Sequence, residues 1–156
     1  MAISAYTEAQ HIPVIKLSRL NDFLSRNNDT TYVINFWATW CQPCVKELPV
    51  FDSLYLSFRD KKIKIILVSL DNVKELERKV IPFVHQRRIK PEVLLLDETD
   101  YNKWIDRVEP SWGGAIPATL IYNYRNRFRK FIEGETDFKE LSRMVRSSSK
   151  HLSASK

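Results

Sequence analysis

The sequence predicts an α/β fold, a mixed β-sheet covered by helices on both faces. Three observations carry this. Runs rich in β-branched and aromatic residues alternate with segments of helical spacing, so most strands are joined by crossovers and lie parallel. Two of the runs, 30–37 and 62–70, are almost continuously apolar, as central strands buried on both faces read. The last two strand-like runs are separated only by the turn within "YNYRNRF", which makes an antiparallel hairpin and so a mixed sheet.

Taken in order, "SRLNDFLSRN" (18–27) carries helical spacing behind Ser18 as a cap. "TTYVINFWA" (30–38) reads as a strand, and "PCVKELPVFDSLYLSFRD" (43–60) as a helix opened by Pro43, whose missing N–H costs nothing in a first turn. "KIKIILVSL" (62–70) is the second central strand. "DNVKELERKVIPFVHQRR" (71–88) reads as a helix behind Asp71, "EVLLLD" (92–97) as a strand and "DYNKWIDRV" (100–108) as a helix behind Asp100. "ATLIYN" (118–123) and "RFRKFIEG" (127–134) form the hairpin, and "TDFKELSRMVRSS" (136–148) closes the pattern as a helix.

A chain of 156 residues is about one domain by length and buries roughly two-thirds of its unfolded surface without a metal or disulfide staple. A single domain over 1–156 is expected, with its core at 12–147 and a basic, flexible tail at 148–156. The 44% hydrophobic and 28% charged composition excludes the disordered class. No window reaches the roughly 20 apolar residues of a membrane span. The opening "MAISAYTEAQHIPVIKL" has no basic region followed by an apolar one, so the chain as given reads as soluble. The formal charge of +6, from 25 basic and 19 acidic side chains, gathers in "HQRRIK", "RNRFRK" and the tail. No nucleic-acid motif accompanies these clusters, and they read as solvated faces rather than as a nucleic-acid site.

Both cysteines of the chain, Cys41 and Cys44, stand in "NFWATWCQPCVKELPVF". Three readings of the pair are open. A structural disulfide closing so short a loop restricts the unfolded chain very little. A zinc site needs further Cys or His ligands at motif spacing, and His11, His85 and His151 stand alone. A redox pair fits the position: at a helix N-terminus unpaired N–H groups and the macrodipole favour a thiolate, so Cys41 attacks a partner disulfide. Cys44, one turn inside and less exposed, then resolves the mixed disulfide.

The segment "VINFWATWCQPCVKELP" resembles the active-site stretch of thioredoxin-fold proteins, in particular the TlpA/ResA-like thiol-disulfide oxidoreductases, and weaker similarity runs over about 12–147. Three details favour that branch. Asn35 stands six residues before the first cysteine, where thioredoxins carry a buried Asp. Glu47, three after Cys44, resembles an acid that ResA-like members hold near the thiols. The stretch 71–91 resembles the branch's helical insertion. Asn35 reads either as a buried amide satisfied by backbone or as a group tuning the site. Glu47 reads either as an ordinary first-turn acid or as an active-site carboxylate relaying the proton of Cys44 and raising thiol pKa values.

The second half of the expected site is "GGAIPATLIY". Proline at the first residue of a strand needs no special reason, but the resemblance implies a cis Ile116–Pro117 bond facing the cysteines. It also implies that Ile116 offers backbone hydrogen bonds to an extended substrate. Gly113 and Gly114 either let a partner's backbone approach or simply form a tight turn. Trp40 is expected to cover the thiol at the surface, Trp37 to lie in the core, and Trp112 either to contact a partner or to anchor its loop. Gln42 and Pro43, the pair between the cysteines, join Trp40 and Ile116 as expected substrate contacts. Gln42 departs from the Gly of thioredoxin.

The resemblance implies a reductase-like oxidoreductase whose redox group is the Cys41–Cys44 pair, with no further cofactor or metal. Its partners would be polypeptides with accessible disulfides and an upstream thiol donor, the chain acting as a monomer outside the cytoplasm with any signal or anchor beyond this sequence. The competing readings are a cytosolic thioredoxin-like reductant and a non-catalytic binding module on the same scaffold. A peroxide-reducing member would need a TxxC arrangement that is absent around Cys41.

Overall fold

A computed structural model describes residues 11–59 and 61–150 of the chain. Among these residues six strands form one sheet: β1 (Val14–Ile15), β2 (Thr31–Trp37), β3 (Ile63–Ser69), β4 (Glu92–Leu96), β5 (Ala118–Asn123) and β6 (Phe128–Glu133). Their spatial order is β1-β4-β3-β2-β5-β6. The first four in this order run parallel to one another, while β5 is antiparallel to β2 and to β6. Strands β2 to β6 match the sequence expectation to within one residue at each end.

Among the described residues five α-helices cover the sheet: α1 (Leu17–Leu24), α2 (Gln42–Phe58), α3 (Ile81–Gln86), α4 (Tyr101–Val108) and α5 (Phe138–Ser148). Because successive strand residues face opposite sides, β2 divides its apolar groups between two cores. Val33 and Trp37 pack with Leu48, Phe51 and Leu54 of α2 and with Leu141 and Val145 of α5. Tyr32, Ile34 and Phe36 pack with Leu20 and Phe23 of α1 and Trp104 of α4. The two-sided burial predicted from the continuous apolar runs thus has a distinct helix layer on each side.

Two features differ from the sequence reading. No element is expected at "IPVIKL", yet β1 forms there, held to β4 by bonds from Leu95 N–H to Pro13 O and from Asp97 N–H to Ile15 O, both 2.9 Å. A two-residue edge strand beside a proline carries almost no periodic signal. The expected helix 71–88 is broken into a 3₁₀ turn at Val73–Glu75, a π-helical turn at Leu76–Val80 and α3. Pro82 lacks an N–H, and in a regular helix its ring would press on the Arg78 carbonyl four residues back. A wider turn before it relieves both.

Helix α2, by contrast, continues through Pro49. Its apolar face (Cys44, Leu48, Phe51, Leu54, Phe58) is buried along its length, so tertiary packing outweighs one lost backbone bond. Ser148, where the sequence reading both ends the last helix and begins the tail, ends α5 and is buried. Its hydroxyl lies 2.7 Å from that of Thr31, at the far end of β2 from the cysteines. Residues 151–156 of that tail lie outside the described residues.

Candidate active site

Strand β2 ends at Trp37 and α2 begins at Gln42, so Cys41 falls at the carboxyl edge of a central parallel strand, where open α/β sheets present their chemistry. Cys41 is the N-cap of α2, with Pro43 in the first turn. The two cysteines are joined in a disulfide with their Cα atoms 5.3 Å apart. The Cys44 N–H donates to Cys41 Sγ at 3.3 Å. This donor and the helix terminus both favour negative charge on that sulfur. Cys41 is 6% exposed and Cys44 is fully buried, the order expected of an attacking and a resolving thiol.

The loop before Cys41 is held by Asp71, a buried residue just past β3. Its carboxylate accepts from Thr39 N–H at 2.9 Å, from Thr39 Oγ1 at 2.5 Å and from Ser69 Oγ at 2.7 Å. In sequence Asp71 reads as a helix cap, and only the parallel pairing of β2 with β3 brings it under residue 39.

Opposite the disulfide, the Ile116–Pro117 peptide bond is cis, and the Ile116 carbonyl oxygen lies 3.7 Å from Cys41 Sγ. The loop ahead of it is pinned on both sides. Trp112 is buried against Phe36, Trp104 and Phe131 and donates from Nε1 to Ala115 O at 2.8 Å. Trp112 is therefore the anchor of its loop. From β6, Glu133 accepts from Gly113 N–H at 3.2 Å and Ala115 N–H at 3.3 Å, and Gly134 N–H donates to Pro117 O at 2.8 Å. Gly114 takes φ +89°, a conformation that strains any side chain. Trp40 is 59% exposed beside the disulfide, whereas Trp37 is wholly buried against Phe83. Gln42 and Pro43 are exposed, Ile116 is half-buried and Pro117 is buried.

Inside the fold, where β2 packs on α2, Asn35 and Glu47 meet. Glu47 follows Cys44 by three residues on one face of α2 and is only 4% exposed. Its Oε1 accepts from Asn35 Nδ2 at 3.2 Å, and its Oε2 from Thr136 N–H at 3.0 Å. Asn35 Nδ2 also lies 3.1 Å from Thr119 Oγ1. Burial pushes the Glu47 carboxyl up to about 7; the bonds from Thr136 and Asn35 offset this in part, and the Glu135 charge adds to it. Asn35 Oδ1 is buried with no hydrogen-bond partner.

Of the residues the sequence singles out for the site, Trp40, Cys41, Gln42, Pro43 and Cys44 lie at the start of α2, Ile116 and Pro117 stand opposite, and Asn35 and Glu47 meet each other farther inside. Sequence reasoning missed Asp71, Glu133 and Thr136, whose roles depend on register and loop closure across the sheet. Among the described residues no group of three or more His, Cys, Asp or Glu side chains is arranged to hold a metal ion.

Comparison with known proteins agrees with this geometry. The chain is similar to the thiol-disulfide oxidoreductase ResA of Bacillus cereus, 42% identical over 108 residues, which cover 69% of this chain and 57% of that protein. It is 24% identical over 132 residues to the sporulation thiol-disulfide oxidoreductase A of Bacillus subtilis, covering 83% of this chain and 76% of the relative. In structure it resembles StoA from Bacillus subtilis with a TM-score of 0.61 and 23% identity, over 76% of this chain and 84% of that one. The fold is thus thioredoxin-like. The AhpC/TSA family model matches residues 8–130, a span that runs from the edge strand through the cysteine pair and the cis-proline loop into β6, and the chain belongs to that family.

Proposed function

We propose that this chain is a thiol-disulfide oxidoreductase that reduces disulfides in polypeptides, with Cys41 as nucleophile and Cys44 as resolving thiol. One observation carries the reading: a Cys41–Cys44 disulfide at the N-terminus of α2, with the Ile116 carbonyl 3.7 Å from Cys41 Sγ. In the reduced protein the Cys41 thiolate attacks one sulfur of the client disulfide. The client S–S bond breaks, a mixed disulfide forms, and the released client thiolate takes up a proton. Cys44, having given up its proton, then attacks Cys41 Sγ and expels the second client thiolate. Two electrons pass to the client, and a thiol donor restores the dithiol.

Glu47, buried one turn from Cys44 with its carboxyl raised to about 7, is suited to accept the Cys44 proton near neutral pH. Asn35 holds one carboxylate oxygen and offsets in part the rise that burial imposes. Pro117 and the loop before it shape the face that meets the client, with Trp40, Gln42, Pro43 and Ile116 as contacts. An extended client can pair with the Ile116 backbone by β-augmentation. We place the protein outside the cytoplasm, working as a monomer. The resemblance to ResA-like proteins supports that placement.

Mutation separates the roles of the two thiols. Cys41→Ser abolishes turnover of a model disulfide, while Cys44→Ser still attacks and accumulates mixed disulfides, seen by mass spectrometry after acid quenching. Turnover surviving in Cys41→Ser refutes the assignment. The direction of transfer is read from the reduction potential. A value near or below about −270 mV marks a reductase, and one near −120 mV an oxidant.

A further inference from the structure

Beside the disulfide, on the α4 side, the surface opens into a groove of two adjoining lobes. The first, about 410 Å³, is lined by Trp40, Leu70, Tyr101, Ile105, Gly114 and Ile116, together with Asn102 and Gly113, and carries no charged side chain. The second, about 420 Å³, shares Trp40, Leu70 and Tyr101 but adds the carboxylates of Asp71, Asp97 and Glu98 against the single ammonium of Lys74. We propose that this groove selects the client. The apolar lobe takes a large aliphatic or aromatic side chain next to the attacked cysteine, and the acidic lobe takes a lysine or arginine beside it. The inference rests on the oxidoreductase reading above and adds the class of polypeptide on which it acts.

Four features argue for a polypeptide segment as occupant. The groove is continuous with the thiol site, since Trp40 adjoins Cys41 in the chain and Ile116 presents its carbonyl 3.7 Å from Cys41 Sγ. Trp40 is 59% and Tyr101 46% exposed, and large rings left in water at a concave site are characteristic of binding hot spots. The apolar wall is preformed: Tyr101 packs on the buried Trp104 ring, and the glycine loop is pinned by Glu133 and Trp112. Gly114 leaves the entrance open, because a Cβ there would come within 3.2 Å of Ile105 Cδ1.

Charge supplies the second half of the selection. The chain carries a formal +6, yet this lobe has more carboxylates than ammonium groups even when Lys16 is counted, which reaches Asp97 at 2.9 Å. Asp71 is fixed by Thr39 and Ser69, and Glu98 by accepting from Leu17 N–H at 3.0 Å. The carboxylates are therefore held in place, and a basic side chain meets them without ordering cost on the protein side. An acidic side chain meets like charge.

The test uses the reduced full chain and short peptides, each closed by one disulfide. The peptides differ at two positions beside a cysteine (Gly-Gly, Leu-Gly, Leu-Lys or Leu-Glu), placed in turn before the first and after the second cysteine. The kcat/KM for each is divided by the rate of glutathione disulfide reduction by the same protein. We expect Leu-Lys to exceed Gly-Gly by about tenfold from burial of the leucine and pairing of the lysine. Leu-Lys should exceed Leu-Glu by about fivefold at low salt, the margin shrinking as salt rises.

Tyr101→Ala should collapse the leucine preference, and Glu98→Gln, which keeps the acceptor for Leu17, should reduce the lysine preference. Equal ratios across the panel, with glutathione disulfide still reduced, overturn the groove proposal and leave the oxidoreductase reading intact. Discrimination by leucine without charge preference overturns the acidic half alone. Failure to reduce glutathione disulfide as well as every peptide overturns the oxidoreductase reading, and the client proposal with it.

Discussion

Replacing Glu47 by glutamine isolates the energy stored in one buried carboxyl. In the folded chain its pKa stands at about 7 against an ordinary 4.5, because burial penalises the ionised form more than the bonds from Thr136 and Asn35 support it. At 1.36 kcal/mol for each pKa unit, that rise amounts to about 3 kcal/mol. The sign follows from proton counting. Below pH 4.5 both folded and unfolded chains carry the proton and the group contributes nothing to the difference. Between 4.5 and 7 the unfolded chain releases it while the folded chain keeps it, so stability falls as pH rises. Above 7 both are ionised and the loss levels off at about 3 kcal/mol.

Glutamine does not ionise, and it can keep both contacts, its oxygen accepting from Thr136 N–H and its amide donating to a rotated Asn35. Urea unfolding of the oxidised protein and the variant should therefore give similar midpoints near pH 4.5. By pH 8 the variant should be the more stable by about 3 kcal/mol, or about 1–3 M in midpoint for typical urea slopes. Comparing the two proteins at each pH cancels the other groups that titrate, including Asp52, whose carboxyl is also raised by burial. A difference that stays constant from pH 4.5 to 8 refutes the claim that Glu47 is the titrating group.

Further outcomes follow from other contacts. Tyr122→Phe keeps the stacked ring of Tyr32, 5.1 Å away, but leaves the buried Phe23 carbonyl without the phenolic donor. It should cost about 1–2 kcal/mol in urea unfolding at any pH below 9. Glu133→Ala removes the acceptor for Gly113 and Ala115 from an exposed position. Hydrogen exchange should lose protection at those two amides and kcat/KM for peptide disulfides should fall about fivefold, while the unfolding midpoint moves by less than about 0.5 kcal/mol. Unchanged exchange at both amides would mean that Trp112 holds the loop alone.

The parts of this molecule that were legible in the sequence are those written in local pattern. Strands β2 and β3 announce two-sided burial by being apolar throughout, and the helix after Cys41 announces itself by Pro43 and its apolar spacing. What escaped is non-local or under-periodic. The strand β1 has two residues and borrows its order from β4. The 71–88 segment keeps helical spacing of its side chains while Pro82 changes the backbone turn, and hydrophobic periodicity cannot register that difference. Asp71, Glu133 and Thr136 look like ordinary polar residues at element ends. Their importance arises because sheet closure aims a carboxylate or an N–H at the cysteine loop, the proline loop or Glu47.

That convergence bears on the proposed proton transfer. The short stretch from Glu133 to Thr136 touches the site at three points: Glu133 on the glycine loop, Gly134 on Pro117, and Thr136 on Glu47. The buried carboxyl is thus tied to the same segment that holds the cis-proline loop. Both of its charge states can be accommodated. Ionised, Glu47 accepts from Asn35 Nδ2 and Thr136 N–H. Protonated, it can donate to Asn35 once the amide turns over, using the Oδ1 that otherwise lacks a partner. An amide satisfies both states where an aspartate at residue 35 would place a second negative charge against the first and drive one of the two acids to stay protonated. With Asn35 there, Glu47 titrates near neutral pH without that second charge, which is the condition the proposed transfer from Cys44 requires.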